Sequence, residues 1–216
     1  MSNIPNLYLK QIELGPMNNY IYIIGNSESR EVMIVDPAWE PEHLKTILKN
    51  ENLSIKGLLI THGHPDHCNG VSGILDSYDV PVYVSKAEAS FYKPIGENIK
   101  NVLPGDILSL GNINIECIHT PGHTPGSQCF KVGENLISGD TLFLDGCGRC
   151  DLPGGNVEDL YKSLYNIILK LPFSTTLYPG HNYHHLKKDT LENQSETNGY
   201  LQCSNMHEFV HTRMKR

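Results

Sequence analysis

The sequence predicts an α/β fold, and three observations carry that expectation. Short runs rich in β-branched residues alternate with segments of helical period, glycine-bearing turns follow several of those runs, and metal-ligand-type side chains sit at the turns. Taken in order, residues 20–24 and 32–35 read as strands joined by a polar turn over 26–30. Pro41 suits a first helical turn, where its missing N–H costs nothing, so a helix is expected over 41–53. Residues 56–60 are a short apolar run that reads as a buried strand, 81–84 as a further strand and 86–92 as a short helix. Residues 113–118 alternate like a strand, and 135–138 and 175–178 are two more strand-like runs. The clearest helix is 156–171. Val157, Leu160, Tyr161, Leu164, Ile167, Ile168 and Leu171 recur at helical spacing behind Asn156, a good N-cap, and that stripe is a core face.

With 216 residues the chain is long enough for one well-cored domain and shows no convincing internal linker, so residues 1–216 are read as a single domain. No apolar stretch approaches the length that crosses a bilayer. Residues 1–15 lack the basic start and apolar core of a secretion signal. Cys68, Cys117, Cys129, Cys147, Cys150 and Cys203 show no disulfide-scaffold spacing, which fits a reducing cytoplasm. A formal charge of −7 argues against nucleic acid as a partner, because such binders need a basic footprint.

Chemistry enters at Thr61-His62-Gly63-His64-Pro65-Asp66-His67, which follows the buried strand over 56–60. Gly63 and Pro65 argue against a helix here, so the segment is expected to be a stiff loop with its side chains fanned around a point. Neutral imidazole and carboxylate are the ligands that zinc, iron and manganese accept. Three further runs end in the same way. Residues 113–118 lead to His119 and then to Gly122-His123, residues 135–138 to Gly139-Asp140, and residues 175–178 to Gly180-His181. Each glycine lets the backbone turn sharply and present the next side chain, a repeated strand-end pattern that collects residues into one site.

The series H-x-H-x-D-H, His, Asp, His resembles the metallo-β-lactamase superfamily, with matches from Asn19 to about His181. The resemblance implies a four-layer αββα sandwich. It also implies that His62, His64 and His123 hold one metal, that Asp66, His67 and His181 hold the second, and that Asp140 bridges them. An aspartate rather than a cysteine at 140 is similar to the glyoxalase II branch. Two zinc ions are the implied cofactors, with iron or manganese as alternatives. Two metals lower the pKa of a water held between them and supply hydroxide at neutral pH. Asp66 has a second possible role as the catalytic carboxylate that steers its proton. A thioester suits such a site because a thiol of pKa about 8.5 leaves without a dedicated acid.

The glycine-rich loop 145–155 lies five residues past Asp140 and is expected at the rim of the site. Gly146-Cys147-Gly148-Arg149-Cys150-Asp151-Leu152-Pro153-Gly154-Gly155 most resembles the loop of zinc-dependent hydrolases encoded in bacterial polyketide clusters, whose implied substrates are acyl groups on an acyl-carrier protein. Cys147 and Cys150 stand as a redox pair, half of a metal site, or two small loop residues. Arg149 either pairs with Asp151 or clamps a substrate carboxylate or phosphate. Tyr183 matches the tyrosine that glyoxalase II places two residues past its last ligand, where it meets the thiol cofactor; a plain reading makes it a half-buried loop aromatic. The 35 residues after His181 are too few for the helical domain that binds glutathione in full-length glyoxalase II. Lys187, Lys188, Arg213, Lys215 and Arg216 form the one basic cluster, either a solvated face or a contact for an acidic carrier protein or a phosphopantetheine phosphate.

Three function classes follow. The leading one is a binuclear thioester hydrolase acting on acyl-carrier protein or, as a short glyoxalase II, on S-lactoylglutathione. The second is a persulfide dioxygenase with one iron held by His62, His123 and Asp140. The third, a phosphodiesterase or nuclease, is disfavoured by the acidic balance.

Overall fold

The computed structural model describes residues 4–88 and 98–215. Its first sheet contains β1 (Leu7–Leu14), β2 (Asn19–Asn26), β3 (Glu31–Val35), β4 (Ser54–Leu59), β5 (Val82–Ser85) and β6 (Ile99–Val102) in that spatial order, antiparallel as far as β3 and parallel beyond it. Helices α1 (Pro41–Asn50), α2 (Pro65–Cys68) and α3 (Val71–Leu75) lie in its connections. The second half adds β7 (Ile107–Leu110), β8 (Ile113–His119), β9 (Gln128–Val132), β10 (Asn135–Gly139), a small β11 (Leu142–Phe143)–β12 (Gly146–Cys147) hairpin, α4 (Val157–Asn166), β13 (Thr176–Pro179), β14 (Asp189–Thr190), α5 (Leu191–Thr197) and α6 (Met206–Met214). Its sheet runs β14-β13-β10-β9-β8-β7.

Alternation along β2 shows how the layers stack. Ile21 and Ile23 pack with Leu44 and Leu48 of α1 and with Val71 and Ile74 of α3. Tyr20, Tyr22 and Ile24 point the other way, onto Ile113, Phe130 and Ile137 of the second sheet. That sheet's outer face, through Leu136 and Leu177, meets Leu160 and Leu164 of α4, Leu191 of α5 and Phe209 of α6. Three apolar cores thus separate four layers, the expected αββα sandwich. Each large aliphatic side chain so buried contributes about 1.5–3 kcal/mol, so a one-residue slip of β2 would exchange its tyrosine and isoleucine faces at prohibitive cost. No helix among the described residues is long and apolar enough to cross a membrane.

The expected strands over 20–24, 32–35, 56–60, 81–84, 113–118, 135–138 and 175–178 all form, with ends shifted by a residue or two. Two helices are shorter than their spacing predicts. α1 stops at Asn50, and Asn52 then turns through a φ of 50°. α4 stops at Asn166, because Ile167 leaves helical geometry (φ −120°, ψ −65°) before a 3-10 turn over Ile168–Lys170. Asn156 caps α4 as expected, its side chain accepting from the Glu158 and Asp159 amides. One expectation is corrected. Residues 65–68 are a helical turn rather than a pure loop, because Pro65 falls at the first helical position, where its fixed φ helps and its missing N–H is no loss. Of the helix expected over 86–92, residues 86–88 form a turn and the rest lies outside the described residues.

Candidate metal centre

Every ligand-type residue leaves the C-terminal end of a strand. β4 delivers the loop with His62 and His64 and, through α2, Asp66 and His67; β8, β10 and β13 deliver His123, Asp140 and His181. Backbone bonds hold these ends together. The Gln128 amide donates to Thr61 O (2.9 Å), the Gly180 amide to Gly139 O (2.8 Å), and the Tyr20 amide, from the opposite sheet, to Gly180 O (2.8 Å). Two glycines are required by space. Gly139 sits at a φ of 49°, the left-handed region, and a Cβ on Gly180 would lie 2.4 Å from Asp140 Oδ1.

The side chains form two groups. In the first, His123 Nε2 lies 2.9 Å from His64 Nδ1 and 3.3 Å from His62 Nε2. In the second, His67 Nε2 and His181 Nε2 are 3.1 Å apart, and Asp66 Oδ2 is 3.5 Å and 3.4 Å from them. Asp140 gives one oxygen to each. Its Oδ1 is 3.2 Å from His67 and 3.4 Å from His181, while Oδ2 is 3.5 Å from His123 and 4.0 Å from His62. All seven sequence-predicted ligand positions are therefore brought together.

The opposite ring nitrogens explain which lone pairs face inward. His123 Nδ1 donates to the Arg149 carbonyl (2.7 Å) and His181 Nδ1 to the Met17 carbonyl (2.9 Å). His67 Nδ1 donates to Asp36 Oδ2 (2.8 Å), and His62 Nδ1 to Thr61 Oγ1 (3.0 Å), whose own proton goes to Asp36 (2.6 Å). With the protons on Nδ1, each Nε2 presents a lone pair to the centre. Burial pushes His62 well below the usual imidazole range, and burial with the neighbouring His123 pushes His64 down to about 4, so both rings are neutral.

Facing lone pairs at such separations repel unless a cation lies between them, and Asp140 Oδ1 is buried without a hydrogen-bond partner. Metal–ligand bonds of about 2.1 Å in a tetrahedron put neighbouring ligand atoms about 3.4 Å apart. The observed spacings fit divalent ions. Asp36, His62 and His67 also lie within ligand reach of one another. Asp36, however, already accepts from the Thr61 amide (2.7 Å), the Thr61 hydroxyl and His67, so its part is to support.

Three supporting residues escaped the sequence reading. Asp36 follows β3 as the ligands follow their strands, a signal that was available. Glu88 is fully buried and accepts from the Gly63 amide (2.7 Å), the Thr124 hydroxyl (2.8 Å) and the Gly126 amide (2.7 Å), clamping the His62/His64 loop to the His123 loop. Nothing in the sequence around Glu88 marks it. Met17 acts through its carbonyl, invisible to side-chain logic. Asn19 also supports the ligands, donating to Asp66 O (2.9 Å) and Oδ2 (3.0 Å) while accepting from Trp39 Nε1 (2.8 Å).

A cleft of about 500 Å³ opens onto the groups, walled by Met17, Phe143, Leu152, Tyr183, Arg149 and Arg213. Tyr183 stacks on His181 (ring centroids 4.7 Å apart, 7° between planes) and meets Phe143 edge-on. Arg149 is at the rim as expected, with its guanidinium paired to Asp151 through two bonds (2.8 and 2.7 Å). Cys147 and Cys150 are free, buried thiols that pack into the core beneath the loop, and Cys147 also borders the cleft. Burial raises Cys150 to about 11 and Cys147 further, so both are protonated thiols at neutral pH. Cys68 donates to His64 O, His119 meets Pro125 O, and His184 pairs with Asp145, all away from ligand duty.

Comparison with known proteins agrees with this geometry. The family model described as the metallo-beta-lactamase superfamily matches residues 14–181. The chain is 32% identical over 198 residues to "Probable polyketide biosynthesis zinc-dependent hydrolase PksB" of Bacillus subtilis, covering 92% of this chain and 88% of that one. It is 34% identical over 199 residues to the mitochondrial persulfide dioxygenase ETHE1 of Mus musculus, covering 88% and 74%. The crystal structure of ETHE1 from Myxococcus xanthus superposes with a TM-score of 0.87 at 26% identity, covering 95% of this chain and 89% of that one. With its fold, its strand-end ligand groups and most of its length matched, the chain belongs to the metallo-beta-lactamase superfamily.

Proposed function

We propose that this protein is a binuclear metal-dependent hydrolase that cleaves thioesters, with acyl groups on an acyl-carrier protein as its substrates, and that residues 1–216 act as one catalytic unit. His62, His64 and His123 hold one ion, Asp66, His67 and His181 the second, and Asp140 is shared. Zinc, the ion in the PksB name, is the expected metal, and the ligand set also accepts iron or manganese. The observation that carries the reading is Asp140, whose two oxygens each face a different ligand group.

Two divalent ions bound there would supply hydroxide at neutral pH and polarise the thioester carbonyl. The chain's own residues do the rest. Asp66, fixed by the Asn19 amide at 3.0 Å, borders the cleft and can take the proton of the attacking water. Met17, Phe143 and Leu152 give the acyl chain an apolar wall, and Tyr183 over His181 shields the scissile bond from bulk water. The thiol leaves as thiolate, for which its pKa of about 8.5 is adequate. Six cysteines held as free thiols suit a reducing cytoplasm.

The test is free-thiol release by the metal-replete protein from an acyl-carrier protein and from S-lactoylglutathione, side by side. Preference for the carrier protein is expected. Preference for the glutathione thioester would make this a short glyoxalase II. Silence on both would favour the second reading, an iron-dependent persulfide dioxygenase, which the identity with ETHE1 supports.

A further inference from the structure

Beside the metal cleft lies a second recess whose charge runs against the rest of the chain. It measures about 360 Å³ and is lined by Arg149, Asp151, Arg213, Met214 and Lys215. Arg149 and Arg213 also wall the metal cleft, so the two spaces adjoin. Asp151 commits both its oxygens to Arg149, which neutralises that guanidinium. Arg213 instead donates Nε to a neutral acceptor, the Gly148 carbonyl (2.7 Å), and keeps its charge. Lys215 follows the last turn of α6, and no carboxylate among the described residues pairs with it or with Arg213. The recess therefore carries a net positive charge, with Arg149, Arg213 and Lys215 set against the single carboxylate of Asp151, on a chain whose formal charge is −7.

Such a recess suits an oxyanion. Guanidinium and ammonium groups bind phosphate by charge-assisted hydrogen bonds, and Arg213 is held in place beforehand by Gly148. The order of the two spaces matters as much as their charge. A phosphopantetheine thioester carries a reactive sulfur at one end and a phosphate at the other, and the adjoining cavities offer metal-ligand groups and then cations.

We propose that the Arg213–Lys215 recess binds the phosphate of a phosphopantetheine arm whose thioester end lies in the metal cleft. This rests on the thioester reading above and adds the feature by which the carrier arm is recognised. Calorimetric titration of the metal-replete protein with 4′-phosphopantetheine and with pantetheine isolates the phosphate, since both ligands bring the same thiol to the metals. The phosphorylated ligand should bind about tenfold more tightly at low salt, with the advantage shrinking as salt is added. Lys215→Glu and, separately, Arg213→Gln should bring the ratio of the two affinities toward one. Equal binding by the unaltered protein would overturn the proposal. Turnover of acyl-carrier protein, acyl-coenzyme A and acyl-pantetheine then identifies the source of the phosphate. An advantage shared by the first two supports the recess, and one confined to the carrier protein assigns recognition to protein contacts and overturns it. Equal binding with good turnover defeats the recess alone, whereas no turnover of any thioester defeats the hydrolase reading itself.

Discussion

The two ligand groups sit a few ångströms apart and are built on different supports. His62, His64 and His123 are an all-imidazole group, held from outside by one buried carboxylate, Glu88, that never touches a ring. It grips the Gly63 and Gly126 amides and the Thr124 hydroxyl and so fixes the loops, while Thr61 and the Arg149 carbonyl orient the His62 and His123 rings. Asp66, His67 and His181 are held directly, with Asp36 on the His67 ring, the Met17 carbonyl on the His181 ring and Asn19 on the Asp66 carboxylate. The rings of the first group meet only neutral partners, Thr61 at His62 and the Arg149 carbonyl at His123, whereas the second has a carboxylate, Asp36, bonded directly to a ligand ring. The second also carries its own carboxylate and a second one behind His67, which makes its imidazole more basic and its field more negative. A cation should therefore depend on different residues at the two positions.

Loss of the shared carboxylate should have the largest effect. Asp140→Asn removes the charge facing both groups, and activity should fall by more than the 10–100-fold typical of losing a supporting partner, with metal content dropping at both positions. Elemental analysis beside activity checks this. Asp36→Asn should act unequally. It weakens the second position about 10–100-fold through His67, and the first less, since His62 is reached only through Thr61. Metal titration of the variant should resolve one tight and one weakened equivalent, and equal weakening would dissolve the contrast between the groups. Glu88→Gln should show the reverse preference with a smaller effect. An amide turned toward the Gly63 or Gly126 donor leaves a buried clash worth about 1–3 kcal/mol, expressed as lower stability and poorer retention at the first position.

The smallest effect concerns the thiols. Burial raises Cys129 and Cys150 to about 11 and Cys68 and Cys117 to about 12, against an ordinary value of 9.0. Unfolded thiols lose protons first, so stability should hold below pH 9 and decline as pH rises toward 11–12. Alkylation of the folded protein at pH 8 should be slow and should spare activity, as assayed by thiol counting before and after unfolding.

What the sequence made legible is the ligands of both groups, and what it hid is most of their supports. The seven ligand positions were readable because imidazoles and carboxylates after glycine turns are uncommon and share a pattern. Gln128 and Glu88 were not marked as partners of those loops, because their bonds join residues far apart in the chain and their types are ordinary. The strand β1 was missed for a physical reason. It is an edge strand whose residues are nearly all half-buried, so no alternation between core and solvent announces it. α5 and α6 were likewise hidden, since a C-terminal segment with few apolar residues gains its order from packing Leu191 and Phe209 on the second sheet. That packing carries Arg213 to the rim of the cleft, which a tail of basic residues did not foretell.

The central claim is that both ligand groups hold a metal and that the pair performs hydrolysis. Metal counting on the purified protein, coupled to thioester turnover with and without oxygen, tests it most directly. Two divalent ions per chain, with thiol release indifferent to oxygen, is the predicted result. A single iron per chain, with oxygen consumed and thioesters untouched, would contradict it.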